Sequence, residues 1–300
     1  MYLLDQACKI EGRRSEICSY LIDEGQVRYV NGLFRKWNRH RVAMDGTVMM
    51  SGRVMLANSL LQASDFETFK KWQGELISKG CTTVAVAPLV HYERELDRSY
   101  KRAKHAMASS MLDFIIGFTF SNPSLLRPSV LRHCRKLNVS FIRVVIRSFE
   151  DISALTWTYL SQTLTNYPIV LTPVFEEVPL NMQASLEKVW QSYCSSYHIH
   201  TSSYYGDRDV WPKSLVQKVG LYPEKGALLV GSDADYILFP KEEQIVATED
   251  CFVYHEKDPT VVIVRGLVVK AGDKISFKPG FGRCLKVRRP GRFLPIEEVM

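Results

Sequence analysis

The sequence predicts an α/β protein in which a run of parallel βα units is framed by short β elements from both chain ends. Three textures along the chain predict it. Up to about residue 51, apolar and polar residues alternate and break at glycine, as in half-buried antiparallel strands. From about 52 to 225, helical stretches alternate with compact apolar runs, the pattern of parallel strands buried on both faces. From about 226 the strand pattern returns.

The first strand pieces are Tyr2–Leu4, ICSYLIDEGQVRYVN with a turn at Glu24-Gly25, and HRVAMDGTVMM with a turn at Asp45-Gly46. DFETFKKWQGELISKG (65–80) reads as a helix: Phe66, Phe69, Trp72, Leu76 and Ile77 share one face, and Gly80 stands where a C-terminal cap belongs. TTVAVAP (82–88), LDFIIGFTF (112–120), SFIRVVI (140–146) and PIVLTPVF (168–175) are the buried strands. A helix over 211–219 ends at Gly220, and Tyr222-Pro223 turns the chain out of it. Gly226 and Gly231 then punctuate Ala227–Val230 before a strand over 234–239, and VVIVRGLVVKAGD turns at Arg265-Gly266. Asp233 and Asp235 read as turn and strand-start residues.

At 300 residues, 46% hydrophobic and 24% charged, the chain suits a soluble globular protein with an ample core. Its net charge of +7 gathers near the end, at Arg283, Lys286, Arg288, Arg289 and Arg292. These read as a solvated tail, and no aromatic-interleaved motif marks them as a nucleic-acid site. Seven cysteines (8, 18, 81, 134, 194, 251, 284) at irregular spacings, with no C-x-x-C, suggest reduced thiols in the cytoplasm. MYLLDQACKIEGRR lacks the pattern of a signal peptide, and no apolar run reaches the roughly 20 residues of a membrane helix. No membrane association is expected.

GLYPEKGALLVGSDADYILFP (220–240) resembles a C-terminal passage of the cyclic-amide branch of the amidohydrolase superfamily: dihydroorotases, hydantoinases, dihydropyrimidinases and allantoinases. ICSYLIDEGQVRYVN with HRVAMDGTVMMSGRVM is similar to the strands leading into that family's first barrel strand. ISKGCTTVAVAP resembles the segment of the second, and VVIVRGLVVKAGD with GFGRCLKVRRPGRF the closing hairpin and tail. The resemblance implies a (β/α) TIM-type barrel over 52–225, shortened and distorted, beside a small β-sandwich made of 1–51 and 226–300. Gly52 and Gly220 enclose about 170 residues where a complete barrel takes 200 or more. The shortfall falls after the fifth strand, and the exposed strand edges would require an odd closure or a partner.

The family implies two metals held by a His-x-His on strand one, a carboxylated lysine on strand four, single histidines on strands five and six, and an aspartate after strand eight. At the first pair this chain has Ala57 and Ser59, neither a useful ligand. Arg143 takes the place of the lysine; a guanidinium stays protonated and is a poor nucleophile for carbon dioxide, so it supplies no carbamate. It could serve as the cation of the pocket, or cap the barrel mouth in an ion pair with Glu176 or Glu177. Thr172 or Val174 replaces the fifth-strand histidine. His200, in YHIHTSS, is the sixth-strand candidate; with His198 on an extended segment it would face one side. Asp207 or Asp209, in YYGDRDVWP, could stand for the last aspartate or form a polar loop. His133-Cys134 is no catalytic pair, because adjacent side chains diverge.

The expectation is a degenerate, non-catalytic amidohydrolase homologue that needs no metal and binds a partner or a small cyclic-amide-like ligand. Its mouth would be lined by Ser59, Arg143, Thr172, Glu176 and His200. The partner would be a second copy or an intact paralogue. The alternative is an active hydrolase of cyclic amide C–N bonds. That enzyme would hold one zinc or manganese ion at His198, His200 and Asp207 or Asp209, or would work metal-free with Arg143 stabilising an oxyanion.

Overall fold

The structure, a computed structural model, describes residues 1–12, 14–34, 36–241 and 257–294. Cys251, and 242–256 and 295–300 of the expected end-built domain, lie outside the described residues. The alternating N-terminal segment forms β1 (Tyr2–Glu11), β2 (Arg14–Asp23), β3 (Gln26–Asn31), β4 (Arg41–Ala43) and β5 (Thr47–Ser51). β1–β2 and β2–β3 are antiparallel, the second pair joined at the expected Glu24-Gly25 turn. β4 and β5 instead run parallel to β1. The cause is a bulge in β1 between Leu4 and Ala7, with Gln6 at φ 53°. The bent strand offers its first half to β4 and its second to β5, so Asp45-Gly46 makes a jog and not a hairpin.

The middle of the chain gives β6 (Arg53–Leu56), α1 (Phe66–Ser78), β7 (Cys81–Val86), β8 (Leu89–Val90) and α2 (Leu96–Ala106). Then follow β9 (Asp113–Ile116), β10 (Phe118–Phe120), α3 (Pro128–Lys136), β11 (Phe141–Val145), α4 (Phe149–Ser153), α5 (Trp157–Leu164) and β12 (Val170–Val174). The segment closes with α6 (Leu180–Ser196) and α7 (Lys213–Val219). α1 begins where Asp65 accepts the Thr68 amide at 2.9 Å, and ends before Gly80 at φ 82°. The last elements are β13 (Tyr236–Pro240), β14 (Val261–Val264), β15 (Leu267–Ala271) and β16 (Lys274–Ile275).

The expected inner strands are all parallel. They form two sheets, β6-β7-β9 and β12-β11-β10-β8. Gly117 parts β9 from β10, and its amide still donates to Val86 at 2.8 Å, so one sheet leads into the other. No side chain fits there, since a Cβ would lie 2.5 Å from the Phe141 ring. At the far edges a single segment reaches both sheets: Thr201 bridges to Leu171 of β12, and Val210 bridges antiparallel to Met55 of β6. Among the described residues this makes no closed barrel.

Strands from both chain ends join in one nine-stranded sheet, in the order β16-β15-β14-β13-β5-β1-β2-β3 with β4 beside β1. Its Val48, Ile237 and Val262 share a core with Phe69 and Leu76 of α1 and Val84 of β7. Burial of that shared apolar surface fastens the sheet to the βα units. The C-terminal stretch is not the solvated tail its charge suggests. The Phe114 amide donates to the Arg283 carbonyl at 2.9 Å, and the Leu285 amide to Phe114 at 2.8 Å. Cys284 thus lies parallel to the start of β9.

Two outcomes follow. Gly282→Ala would place a Cβ 2.0 Å from the Leu112 carbonyl oxygen. The variant is expected to lose about 1–3 kcal/mol in urea unfolding and to be cut faster by trypsin after Arg283. Burial pushes the thiols of Cys81, Cys134 and Cys194 up to about 12. At pH 8 they are expected to resist a thiol reagent until the protein is unfolded, as read by peptide mapping.

Candidate functional site

The C-terminal side of the parallel strands is filled by protein. Arg143 sits mid-β11, paired in register with Thr172 of β12. The loop after Thr201 folds over them: Tyr204 lies with its ring 5.8 Å from the Arg143 guanidinium carbon, and the Tyr205 carbonyl accepts from Arg143 Nη2 at 3.5 Å. Trp211 donates its amide to Val54 at 2.8 Å and meets Phe141 edge-on, ring centres 5.2 Å apart. Leu56, Phe141, Arg143, Thr172, Tyr205, Trp211 and Leu215 leave a cavity of about 10 Å³. That is the space of one water.

Burial of the Arg143 guanidinium works against its charge and lowers its pKa, while Tyr204, Asp207 and Glu176 favour the charged form. No ion pair within 4 Å forms on Arg143 among the described residues. Asp207 instead accepts the Asn58 amide at 2.5 Å, and Asn58 Oδ1 accepts the Ala87 amide at 2.6 Å. This ties the loop over the first and second strands.

Of the residues expected at the mouth, Arg143, Thr172, Glu176 and Asp207 come together, and Ser59 lies in the adjacent short turn Asn58–Gln62. Asp209 accepts the Gly206 amide at 2.7 Å and shapes the loop. The two histidines do not share an extended segment. His198 is exposed at φ 52°, just past the end of α6, where its amide donates to Ser195. The His200 carbonyl accepts the Leu171 amide at 2.9 Å, and its ring packs on Gly291, where a Cβ would approach Cε1 to 2.6 Å. Among the described residues no trio of ligand-bearing side chains includes either histidine. Tyr204, Tyr205 and Trp211 went unassigned in the sequence; their signal was the aromatic content of the YYGDRDVWP loop.

The trio that does form is Asp113, Asp233 and Asp235, all buried. Its centre is the Lys225 ammonium, 2.5, 2.8 and 2.7 Å from a carboxylate oxygen of each. Arg283 pairs with Asp113 at 3.3 Å and also with Asp233, and Arg265 Nε lies 3.4 Å from Asp113. Asp233 and Asp235 are therefore not simple turn residues. Burial opposes the charge of Lys225, but Asp235, Asp113 and Asp233 outweigh it and raise its pKa. Burial likewise opposes ionisation of Asp113, yet Lys225, Arg265 and Arg283 hold its carboxyl below the usual range.

Comparison with solved structures gives an unambiguous frame. A D-hydantoinase superposes with a TM-score of 0.69 at 12% identity, covering 97% of this chain and 99% of that one. The dihydropyrimidinase of Brevibacillus agri gives 0.69 at 10% identity, covering 98% of this chain and 100% of that one. This chain has the hydantoinase fold. In sequence, the D-hydantoinase of Geobacillus stearothermophilus is 26% identical over 103 residues, which is 31% of this chain and 22% of that relative. No family model matches the chain.

Within the hydantoinase fold, one neighbour is a mutant atrazine chlorohydrolase from Arthrobacter aurescens complexed with zinc and atraton (TM-score 0.52, 10% identity, covering 100% of this chain and 98% of that one). The residues at this chain's mouth do not fit a metal. Ala57 is a buried methyl, Thr172 is buried beside Arg143, Val174 is buried beside Val145, and the guanidinium is itself a cation. In the three-aspartate cluster, the ammonium of Lys225 holds the place a metal would need.

Removing that ammonium strands three buried carboxylates. Lys225→Met is expected to cost about 3–5 kcal/mol in urea unfolding. Because an ammonium and not a metal satisfies the cluster, EDTA is expected to leave the melting temperature of the wild-type protein unchanged.

Proposed function

We propose that this chain is a non-catalytic relative of the cyclic amidohydrolases that acts by binding a partner. In this reading the family's barrel corresponds to 52–225, its small β-sandwich to 1–51 with 226–300, and no metal cofactor is used. The observation that carries it is the mouth: Arg143 beside Thr172, under Tyr205 and Trp211, with about 10 Å³ of space left. A hydantoin ring needs far more room, and a metal-activated hydroxide needs ligands where this chain has a methyl, a hydroxyl and a guanidinium. Fold alone confers no chemistry. In this reading the partner is a second copy or an intact paralogue.

The test is elemental analysis of protein expressed with zinc and manganese supplied, together with assays on hydantoin and dihydrouracil. The expected result is substoichiometric metal and no turnover above a heat-killed control. Near-stoichiometric zinc or manganese, or turnover lost in Arg143→Ala, would overturn the reading.

A further inference from the structure

The basic residues of α2 and of the C-terminal stretch are far apart in sequence but approach one another near Cys284. Arg98 to His105 contains four Lys or Arg residues and no carboxylate, and Arg283 to Arg292 contains five and no carboxylate. Burial raises the pKa of the Cys284 thiol, and Lys104 of α2 and Lys286 both oppose that rise. His133 of α3 reaches Asp97 of α2 at 3.0 Å. Tyr167, beside Arg135 of α3, donates its hydroxyl to the Val287 carbonyl at 3.3 Å. Arg283 is consumed by the buried aspartates, but among the described residues Lys286, Arg288, Arg289 and Arg292 enter no ion pair. Elsewhere Arg28, Arg41, Lys70, Arg208 and Lys213 do.

These four bases rim a groove of about 220 Å³ whose walls include Tyr222 and Phe293. The two rings are 6.2 Å apart at 68°, and Phe293 is 44% exposed. Glu224 is the carboxylate in the groove, and burial, with Asp233 nearby, raises its pKa. Cations spaced along a groove beside an exposed ring are what a nucleotide strand requires: phosphates meet the bases of the protein, and a nucleobase stacks on the ring.

We infer that this face binds single-stranded nucleic acid, its phosphates on Lys286, Arg288, Arg289 and Arg292 and a nucleobase against Phe293. An acidic peptide would satisfy the cations but leave the ring unused, and a bilayer would gain little from a single ring. The groove and the mouth share no lining residue, and the inference goes beyond the reading of a non-catalytic protein; it stands whether or not the mouth turns over a substrate.

The experiment is fluorescence anisotropy of the full chain with labelled oligo-U and oligo-dT of about 20 nucleotides, across about 50–200 mM salt. The logarithm of affinity is expected to fall against that of salt with a slope of about −2 to −3, and the triple variant Arg288→Ser, Arg289→Ser, Arg292→Ser to flatten it by about 2. The matching triple change to Lys keeps the slope. Phe293→Ala is expected to weaken oligonucleotide binding about fivefold or more while leaving heparin binding unchanged. Comparison of oligo-U with oligo-dT tells RNA from DNA as the preferred strand. Absence of binding at the lowest salt overturns the inference, as does binding that the triple serine variant leaves intact at an unchanged melting temperature. Tighter binding to polyglutamate or to phosphatidylserine vesicles than to either oligonucleotide would also overturn it.

Discussion

The buried ammonium of Lys225 is the contact on which the arrangement of this chain depends. It joins Asp113 at the start of β9 to Asp233 and Asp235 at the approach to β13, with Arg265 from the β14–β15 turn and Arg283 from the C-terminal stretch completing the charge. Three carboxylates and three bases cancel, so the cluster can be buried. Apolar packing could hold the nine-stranded sheet against the βα units in several registers. A cluster that satisfies its charges in one geometry singles out one of them.

The same economy of space governs the opposite side of the strands. Where a hydrolase of this fold would need a cavity and ligands, the loop carrying Tyr204, Tyr205 and Trp211 lies across the mouth, pinned through Asp207 to Asn58 and through Trp211 to Val54. Arg143 is tolerated there because the Tyr204 ring and a carbonyl, with Asp207 and Glu176 nearby, accommodate a guanidinium that burial would otherwise penalise. The loop serves as closure and as core at once. One run of residues fills the space and reaches both sheet edges.

The C-terminal stretch links the two ends of the molecule's chemistry. Arg283 is drawn inward by Asp113 and Asp233, and two residues later Leu285 still pairs with β9. Beyond it, Val287 is buried while Lys286, Arg288 and Arg289 are exposed. The segment thus sorts one basic run into an arginine whose guanidinium pairs with buried aspartates and a set of outward charges.

The sequence by itself determined what depends on near neighbours. The apolar period of 65–80, the glycines at 80, 220 and 266, and the compact runs at 82–88, 140–146 and 168–175 each specify local backbone, and each became the expected helix, turn or strand, while the run at 112–120 split at Gly117 into two strands of different sheets. That Ala57, Ser59 and Arg143 stand where the family resemblance implies metal ligands was readable because it is a matter of residue type at one position. Tertiary structure decided the rest. Whether β4 and β5 run parallel or antiparallel to β1 depended on a bulge at Gln6 that no periodicity announces. His198 left the strand because α6 ended on it in a left-handed turn. The cluster that Asp233 and Asp235 join was hidden because its third carboxylate, Asp113, stands 112 residues from Lys225 and 170 from Arg283. Charge pairing over such separations is set only when burial brings the groups together, and local pattern carries no record of it.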